Sequence, residues 1–500
     1  MTSTEGVRFS AAPGAVLDDV RHQSEAAAGN LEAADRAIQR LRELLDGAED
    51  QDKILLRAAA GAGKSYALRR MVKEALEHPS CSRVAVTAFA NKQTFPLAGD
   101  LGKDLGAEQV CLFIADKRRP DVPQEVLDHV TLASSSSGIP KTATVIVGVS
   151  HKLGVWGERT RLLEHLGPAA NGERPFDVLL VDEAWQLALH RFVTVDGLAP
   201  IVVGVGDVGQ LPPIDPSENP WRGDPGYNPY RAWPTEYERL DRTCSIDLPA
   251  VWRPTAEQLP LWRAFYGDWD RLDCVAAPGD RSIRLPALPS PADDVWTAVA
   301  TGRPVLLEID GLEDPEQADI DLPLLGMVER LLEPLLAGGF EIAERRYDGI
   351  GNPQDEQTVS SADPAGDPLI VVLATRNQAV DDATEMAERL TERYDLPDGV
   401  IRASTVDSWQ GQTNRITIAV HPLSGAARLD DFNSAFGRLA VTCTRATHGL
   451  LMVARARLDD LLATTPPRPG TPFGEPGTRS LPRQTHQRIL SAFTRGTLRA

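Results

Sequence analysis

The sequence predicts an α/β protein with two domains in tandem, each built on a parallel sheet. Short and nearly continuous apolar runs recur along the chain, and helical patterns separate several of them. This arrangement is typical of buried parallel strands that are covered by helices on both faces. The runs form two series that meet near residue 246, and 500 residues are too many for one ordinary domain.

The first series predicts an N-terminal helical segment over residues 1–48 and a first domain over residues 49–245. An amphipathic helix is expected over about 30–46, and a second helix at 66–76. The apolar runs of this series predict strands at 54–56, 83–87, 143–149, 178–181 and 201–205.

The second series predicts a second domain over residues 246–463. Its expected strands are 304–309, 369–374, 400–403, 415–420 and 449–453, and its expected helices are 322–336 and 379–394. The stretch 345–366 contains acidic, Gly and Pro residues, and we expect it to be a mobile loop.

Residues 464–500 are expected to form a Pro/Gly-rich linker and a basic tail. The linker covers 464–483, and a short helix is expected at 484–493. No acidic residue follows Glu475. A solvated tail is favoured over a contact with nucleic acid or with a partner protein.

Composition excludes several classes of protein. Hydrophobic residues make up 42% of the chain and charged residues 25%, which is ordinary for a globular protein with a sizeable core. The five cysteines are scattered and indicate neither a zinc site nor a disulfide framework, which favours a cytoplasmic location. We expect no signal peptide and no membrane span. The net charge of −19 predicts weak and salt-sensitive binding to any nucleic acid.

Residues 58–65, AAAGAGKS, have the setting of a phosphate-binding loop, because a strand precedes them and a helix follows. Small residues let successive backbone N–H groups face phosphates at the start of a helix. Lys64 would neutralise the β- and γ-phosphates, and Ser65 would bind Mg²⁺. The predicted nucleotide-binding residues of this loop are Gly61, Ala62, Gly63, Lys64, Ser65 and Tyr66.

Two further segments follow buried strands. Asp182 is expected to hold Mg²⁺ through its water shell, and Glu183 is expected to polarise the attacking water. Residues 206–213, GDVGQLPP, place the amide of Gln210 after a turn where it can lie against a transferring phosphate, and the two prolines fix the exit path. Together with the phosphate loop, these segments predict an ATP hydrolase that uses Mg²⁺.

These three segments resemble motifs I, II and III of superfamily 1 helicases, and the resemblance covers roughly residues 50–455. Five more segments are similar to family motifs: 84–92 to motif Ia, 248–254 to the Tyr-Arg motif, 374–378 to motif IV, 405–412 to motif V and 437–446 to motif VI. The branch that this chain resembles contains the nonsense-mediated-decay helicase and its DNA helicase relatives, whose members move 5′ to 3′.

The resemblance implies two tandem RecA-like domains with parallel sheets and an ATP site in the cleft between them. Arg253 and Arg445 would reach the γ-phosphate as arginine fingers, and Gln210 would couple the state of the phosphate to domain movement. Trp252, which replaces the usual tyrosine, would stack on the adenine. Gln39 and Gln51 are both candidates for the glutamine that reads adenine. Gln39 is favoured because it lies in a predicted helix ahead of the loop.

The resemblance also places contacts with the nucleic-acid backbone at Thr87, Asn91, Thr375 and Thr405. For Thr375 and Thr405, hydrogen bonding at the end of a strand is an open alternative. The implied partner is single-stranded nucleic acid, with DNA favoured over RNA, and the C-terminal tail could contact a protein partner.

Two departures from the family pattern bear on function. Thr413 stands where the family usually has a glutamate that holds the ribose, so selectivity for the nucleotide could be relaxed. The stretch 101–141 is short, so the domain that many relatives insert there is reduced or missing. Its basic cluster at 117–119 is expected to be a solvated turn rather than a strand-binding patch.

Three functions are open at this point. The favoured one is an ATP-dependent helicase or translocase that moves 5′ to 3′ on single-stranded DNA or RNA. The first alternative is an ATPase switch or motor subunit of a repair or defence system, which binds nucleic acid without unwinding it. The second is an ATP-driven protein-remodelling factor, for which the net charge of −19 is the support.

Overall fold

The computed structural model describes most of the chain. The residues described are 6–14, 19–48, 50–209, 211–213, 216, 218–221, 227–267, 269–315, 320–375, 377–430, 433–465 and 482–500. They form two compact units: the first unit is Gly29–Leu248, and the second unit joins Met1–Ala28 to Pro249–Ala500. The second unit begins three residues after the predicted boundary at 245/246, and it includes the first 28 residues of the chain.

The strands and helices alternate along most of the chain. The strands are β1 (Phe9–Ser10), β2 (Lys53–Ala58), β3 (Val84–Ala88), β4 (Val110–Phe113), β5 (Thr131–Ala133), β6 (Val145–Val149), β7 (Val178–Asp182), β8 (Ile201–Asp207), β9 (Thr243–Asp247), β10 (Ala250–Val251), β11 (Asp273–Cys274), β12 (Arg281–Arg284), β13 (Val305–Asp310), β14 (Glu341–Tyr347), β15 (Pro353–Ser360), β16 (Ile370–Ala374), β17 (Ile401–Thr405), β18 (Asn414–Val420), β19 (Ala446–Arg455) and β20 (Thr494–Arg499). The helices are α1 (Gln23–Leu45), α2 (Lys64–Glu77), α3 (Asn91–Leu105), α4 (Gln124–Leu127), α5 (Ser150–Leu153), α6 (Glu158–Leu166), α7 (Leu189–Phe192), α8 (Trp233–Tyr237), α9 (Leu259–Phe265), α10 (Ala292–Ala300), α11 (Leu322–Gly338), α12 (Asn377–Tyr394), α13 (Phe436–Cys443), α14 (Leu458–Thr464) and α15 (Pro482–Leu490).

The first unit contains an eight-stranded sheet in which every neighbouring pair is parallel. The strand order is β5-β4-β6-β3-β7-β8-β2-β9. Its central strands are mostly apolar, and every residue of β3, β7 and β8 is buried, as in a parallel sheet that is covered on both faces. The α/β class with parallel sheets is therefore confirmed for this unit.

The second unit contains a seven-stranded sheet of order β1-β20-β13-β19-β18-β16-β17. All neighbours in it are parallel except β1 and β20. The core on this sheet is made by apolar side chains of α10, α11 and α12 together with the strands, and it includes Trp296, whose indole N–H donates to the Leu331 carbonyl at 2.8 Å. Each strand predicted from an apolar run lies in one of the two large sheets.

The expectation of a mobile loop at 345–366 is wrong. The segment forms most of an antiparallel hairpin, β14 and β15, and β12 pairs with the other side of β14. Ile342 and Ala343 anchor β14 in the core. The turn is closed by the Asp348 carboxylate, which accepts the N–H groups of Ile350 and Asn352 at 3.0 and 2.9 Å.

The expectation of a solvated basic tail is also wrong. Residues 466–481 of the predicted linker lie outside the described residues, but α15 and β20 follow them, and β20 occupies a place between β1 and β13 in the sheet. Arg495 forms ion pairs with Glu308 at 2.6 Å and Asp459 at 2.7 Å. Gly496 lets the Phe9 ring approach, since a β-carbon there would stand 2.6 Å from it. Arg495 thus serves the fold.

Among the described residues, no helix is both long enough and apolar enough to cross a membrane.

Candidate nucleotide-binding site

The predicted phosphate loop connects the end of β2 to the start of α2. Gly61 and Gly63 have φ angles of 74° and 91°, in the left-handed region that glycine adopts without strain. The small residues Ala59 and Ala62 are buried, and the Ala62 N–H donates to the Ala59 carbonyl at 3.1 Å. The loop therefore has the backbone shape that a phosphate cradle needs, and Lys64, Ser65 and Tyr66 begin the helix that follows it.

Lys64 forms an ion pair with Glu183. Its Nζ lies 2.9 and 2.8 Å from the two carboxylate oxygens, and the two side chains are only 11% and 14% exposed. Glu183 has a φ of 50°, which is uncommon for a residue with a side chain and typical of strained functional positions. Lys64 begins α2 after the loop that follows β2, and Glu183 directly follows β7. These two strands flank β8. The structure thus brings together the phosphate-binding lysine and the general base that the sequence predicts.

Asp182 ends β7 and is buried beside this pair. Burial, reinforced by the negative charge of Glu183, raises the pKa of the Asp182 carboxyl above its ordinary value. A divalent cation would reverse this effect by favouring the ionised carboxylate. The oxygens of Asp182 and Ser65 are the ligand type that Mg²⁺ prefers, so these residues fit the predicted cation.

The segments after β7 and β8 pack closely. A β-carbon on Gly206 would stand 2.7 Å from the Trp185 ring and 2.9 Å from the Ala184 nitrogen, so only glycine fits there without a shift. The Asp207 carboxylate accepts the N–H of Gly209 at 2.8 Å. Gln210, the predicted γ-phosphate sensor, lies outside the described residues.

Gln93 links α3 to the segment after β7, and the sequence did not single it out. Its amide N–H donates to the Gln186 side chain at 2.9 Å, and its amide oxygen accepts the N–H of Ala90 at 2.9 Å. The segment after Glu183 is thereby joined to the segment after β3, which carries Asn91.

Asn30 is the α1 residue seen to contact the phosphate loop. Its buried side-chain amide donates to the Ala62 carbonyl at 2.9 Å. Gln39 is exposed and donates to Glu43 one turn further along α1, while Gln51 accepts a hydrogen bond from Arg40 at 2.7 Å. These contacts lend no support to either glutamine as an adenine reader, and they identify Asn30 as a support of the loop.

Replacing Asn30 by Ala is expected to raise the KM for ATP about tenfold, because the Ala62 carbonyl would lose a buried partner at a cost of roughly 1–3 kcal/mol. The measurement is steady-state hydrolysis over a range of ATP concentrations. Glu32→Ala, on an exposed position of the same helix, is the control. An unchanged KM in Asn30→Ala would show that the loop keeps its shape without this contact.

The two predicted arginine fingers meet at Thr444 in the second unit. Arg253 Nη1 donates to the Thr444 carbonyl, and Arg445 Nη2 donates to the Thr444 hydroxyl, each at 3.0 Å. Arg445 is fully buried, and its Nε donates to the Val441 carbonyl at 3.0 Å. The finger role of both residues stays a prediction, since in this structure the Arg445 guanidinium caps α13 rather than projecting into solvent.

Arg281 holds the segment that carries Trp252 and Arg253. It is the first residue of β12. Its guanidinium donates to the main-chain carbonyls of Trp252 and Arg253, and the distance to the Trp252 carbonyl is 2.9 Å. The Trp252 side chain is half-buried and packs on a small apolar cluster that includes Ala26 and Val275. Stacking of Trp252 on adenine therefore also stays a prediction.

The residues predicted to contact nucleic acid are in different situations. Thr87 is fully buried inside β3, which does not fit a contact with the nucleic-acid backbone, whereas Asn91 is half-buried at the start of α3. Thr375 follows β16 and Thr405 ends the neighbouring β17, so both lie at one edge of the sheet. The Thr405 hydroxyl accepts the Ser408 N–H at 2.9 Å, which is the strand-end hydrogen bond of the alternative interpretation.

No protein-family model matches the chain, and no curated protein does. Several helicases of known structure are similar to it. The PRRSV helicase is 14% identical, with 86% of this chain and 56% of that chain covered and a TM-score of 0.36. The arterivirus nonstructural protein 10 helicase in complex with DNA is 14% identical, with 82% and 62% covered and a TM-score of 0.39. Bacteroides Pif1 bound to ssDNA is 11% identical, with 83% and 91% covered and a TM-score of 0.32. The chain thus spans less than two thirds of the length of the first two.

Proposed function

We propose that this chain is an ATP hydrolase that works as a helicase or translocase on single-stranded nucleic acid and moves 5′ to 3′. The most direct support for the proposal is that Lys64, Asp182 and Glu183 lie together at one edge of the sheet. They lie next to a phosphate loop whose left-handed turns are made by glycines. The direction and the track come from the motif resemblance, in which the segments of Asn91, Thr375 and Thr405 serve nucleic acid.

The Lys64–Glu183 ion pair has to open during the reaction. Lys64 is the group that neutralises the β- and γ-phosphates, so binding of ATP draws its ammonium away from Glu183. The carboxylate of Glu183 is then available to orient the attacking water and take its proton. Mg²⁺ held by Ser65 and Asp182 would supply charge stabilisation at the phosphate oxygens. Lys64 thus acts on the phosphates and Glu183 on the attacking water. Because the ion pair opens when ATP binds, the water is activated only after ATP is in place.

A second candidate function is an ATPase switch or motor subunit that binds nucleic acid without separating a duplex. The stretch between α3 and β6 folds into the edge strands β4 and β5 of the sheet, with only a 3₁₀ helix and α4 between these strands. In the described part of the first unit, this stretch builds no separate domain that could wedge a duplex open. Movement along a single strand needs no such wedge, so this observation favours translocation over unwinding.

Steady-state ATP hydrolysis at low salt tests the proposal. The protein is assayed without polymer and with single-stranded DNA, single-stranded RNA or duplex, and Lys64→Ala is the blank. Strong stimulation by a single strand is the expected result, and the strand that stimulates most is the track. Hydrolysis that is indifferent to all polymers would contradict a nucleic-acid motor and favour protein remodelling. Displacement of streptavidin from either end of the stimulating strand then measures direction and separates a motor from a switch.

A further inference from the structure

The small three-stranded sheet of the second unit, β12-β14-β15, belongs to no family motif. In the sequence it lies between the segment that resembles the Tyr-Arg motif, 248–254, and the segment that resembles motif IV, 374–378. Its first strand nevertheless contacts the segment of Trp252 and Arg253, the residues predicted to stack on the base and to reach the γ-phosphate.

The main chain at Trp252 and Arg253 lies outside strand pairing. β10 ends at Val251, and neither Trp252 nor Arg253 belongs to a strand or a helix. Their carbonyls accept hydrogen bonds from the Arg281 guanidinium, whose Nη2 lies 2.9 Å from the Trp252 oxygen and whose Nη1 donates to the Arg253 oxygen. A guanidinium is a planar fork with fixed donor directions. Arg281 therefore fixes the orientation of two consecutive peptide groups.

Arg281 is supported by the neighbouring strand. It pairs in register with Glu344 of β14, and the Glu344 carboxylate accepts a hydrogen bond from Arg415 Nη1 at 2.6 Å. Glu344 and Arg415 are only 8% and 4% exposed. Burial lowers the pKa of Arg281, and the negative charge of Glu344 opposes this change. Apolar side chains could fill such a space at a lower desolvation cost, so buried charges here favour a need for directed hydrogen bonds over a need for stability.

The hairpin of β14 and β15 also fixes the residue that precedes Arg281. The Asp280 carboxylate accepts the Tyr347 hydroxyl at 2.6 Å, and the Asp280 carbonyl accepts the Arg345 N–H at 2.8 Å. The Tyr347 ring packs on the same small apolar cluster as the Trp252 side chain. The hairpin thus supports Trp252 in two ways, through Arg281 at its main chain and through this cluster at its indole.

The contacts continue from Arg281 to the predicted fingers. The Arg253 guanidinium donates to the Thr444 carbonyl, and the Thr444 hydroxyl accepts a hydrogen bond from Arg445, each at 3.0 Å. A small shift of the Arg253 main chain would move its guanidinium relative to Arg445. Misplacement of a reacting group by about 1 Å is enough to slow a reaction by a factor on the order of 10².

We propose that Arg281 is a positioning residue of the nucleotide site, which sets Trp252 for stacking on the base and Arg253 for the γ-phosphate at the same time. It touches neither the base nor the phosphate in this role and acts through the two carbonyls that it holds. The inference rests on the proposed function, in which Trp252 and Arg253 have these tasks. Base binding and hydrolysis are then coupled by one side chain.

Arg281→Met tests the inference, because methionine fills the space without donating hydrogen bonds. The kcat at saturating ATP is expected to fall about tenfold, and the Kd for ATP, measured by displacement of a fluorescent nucleotide, to rise about tenfold. Arg281→Lys should give intermediate values, since an ammonium keeps the charge but lacks the fork. Arg284→Met is the matched control on the same strand, because Arg284 is exposed and its ion pairs with Glu341 and Glu356 lie at the surface.

Double-mutant cycles separate positioning from a general loss of structure. Arg253→Ala alone should lower kcat at least 10²-fold with little change in Kd, and Trp252→Ala alone should raise Kd about tenfold with little change in kcat. Arg281→Met should then lower kcat no further in the Arg253→Ala background and raise Kd no further in the Trp252→Ala background. If Arg281→Met does not fold, Arg281→Lys takes its place in both cycles.

Three results would overturn the inference although the wild-type protein hydrolyses ATP. The first is wild-type kcat and Kd in Arg281→Met, whatever its thermal stability. The second is a full effect of Arg281→Met in both single-mutant backgrounds, because the residue would then act on the unit as a whole. The third is a wild-type kcat in Arg253→Ala together with a wild-type Kd in Trp252→Ala. The proposed function fails by a different result, namely wild-type hydrolysis that does not exceed that of Lys64→Ala with any polymer.

Discussion

Replacing Glu183 by Gln is expected to slow ATP hydrolysis by a factor on the order of 10²–10⁴, the usual contribution of a general base, without weakening the binding of ATP. An amide cannot take the proton of the attacking water. Binding is spared because the carboxylate of Glu183 holds Lys64 at 2.9 and 2.8 Å, and the substitution removes a competitor of the phosphates for that ammonium group. The variant should therefore accumulate with ATP bound and hold single-stranded nucleic acid.

Single-turnover hydrolysis and displacement of a fluorescent nucleotide measure these two quantities separately. Glu173→Gln is a matched control, because Glu173 is an exposed carboxylate in the loop before β7. Lys64→Ala should lose both hydrolysis and affinity. Normal turnover in Glu183→Gln would mean that another group is the base. A parallel loss of affinity would mean that Glu183 supports the shape of the loop instead of the chemistry.

The central strands and the phosphate loop could be predicted from the sequence because their physical requirements are local. A parallel strand that is covered on both faces has to be nearly continuously apolar, as β7 and β8 are up to the aspartate that ends each of them. A loop that turns through left-handed angles needs glycine, which is present at Gly61 and Gly63. These local patterns are enough to single out Lys64 and Glu183 as candidate site residues.

The peripheral strands could not be predicted because their pairing partners decide their structure. β4 and β5 have four and three residues, which is too short for a periodic pattern. The sequence of β15, PQDEQTVS, is mostly exposed and polar, and it becomes a strand only because β14 offers an edge. β20 contains two arginines, which suggested a tail, but Leu498 and the partners of Arg495 hold it in the sheet.

Side-chain contacts between distant segments were likewise beyond prediction. The Asn30 amide donates to the Ala62 carbonyl, 32 residues away in the sequence, and the Arg281 guanidinium donates to the Arg253 carbonyl, 28 residues away. Neither Asn30 nor Arg281 belongs to a recognisable motif. The opposite error occurred at Thr87, where motif resemblance indicated a surface contact and the closed faces of the sheet bury the side chain. Motifs identify reacting groups, whereas the groups that position them follow from packing.

The second unit is expected to lose stability when the pH falls from 7 to 5, because it buries uncharged histidines. His421 and His486 are both buried, with ring centroids 5.9 Å apart. Burial lowers the pKa of His421 to about 3, with further contributions from the charge of Arg495 and from the repulsion that a protonated His486 ring would exert, and burial lowers the pKa of His486 to about 4. His448 is buried as well, and its pKa is also lowered.

The sign of the effect follows from proton binding. In the unfolded chain the imidazoles of His421 and His486 take up protons near pH 6.5, whereas in the folded chain they do so only near pH 3–4. Between these values the unfolded state binds more protons, so stability falls as the pH is lowered through this window. His421 and His486 each contribute a loss on the order of 2 kcal/mol at pH 5 relative to pH 7.

His486→Phe isolates one of these contributions. In the described part of the chain neither ring nitrogen of His486 makes a hydrogen bond of good geometry, although an interaction with the Ser434 main chain opposes the lowering of its pKa. A phenyl ring of similar shape therefore removes a buried polar group and gives up that one interaction. In denaturant unfolding, the difference in stability between pH 7 and pH 5 should shrink by about 2 kcal/mol in this variant. His151→Asn, at an exposed position of α5, should leave the difference as in wild type. An unchanged difference in His486→Phe would mean that this ring does not stay neutral in the folded protein, and that the acid sensitivity comes from other groups.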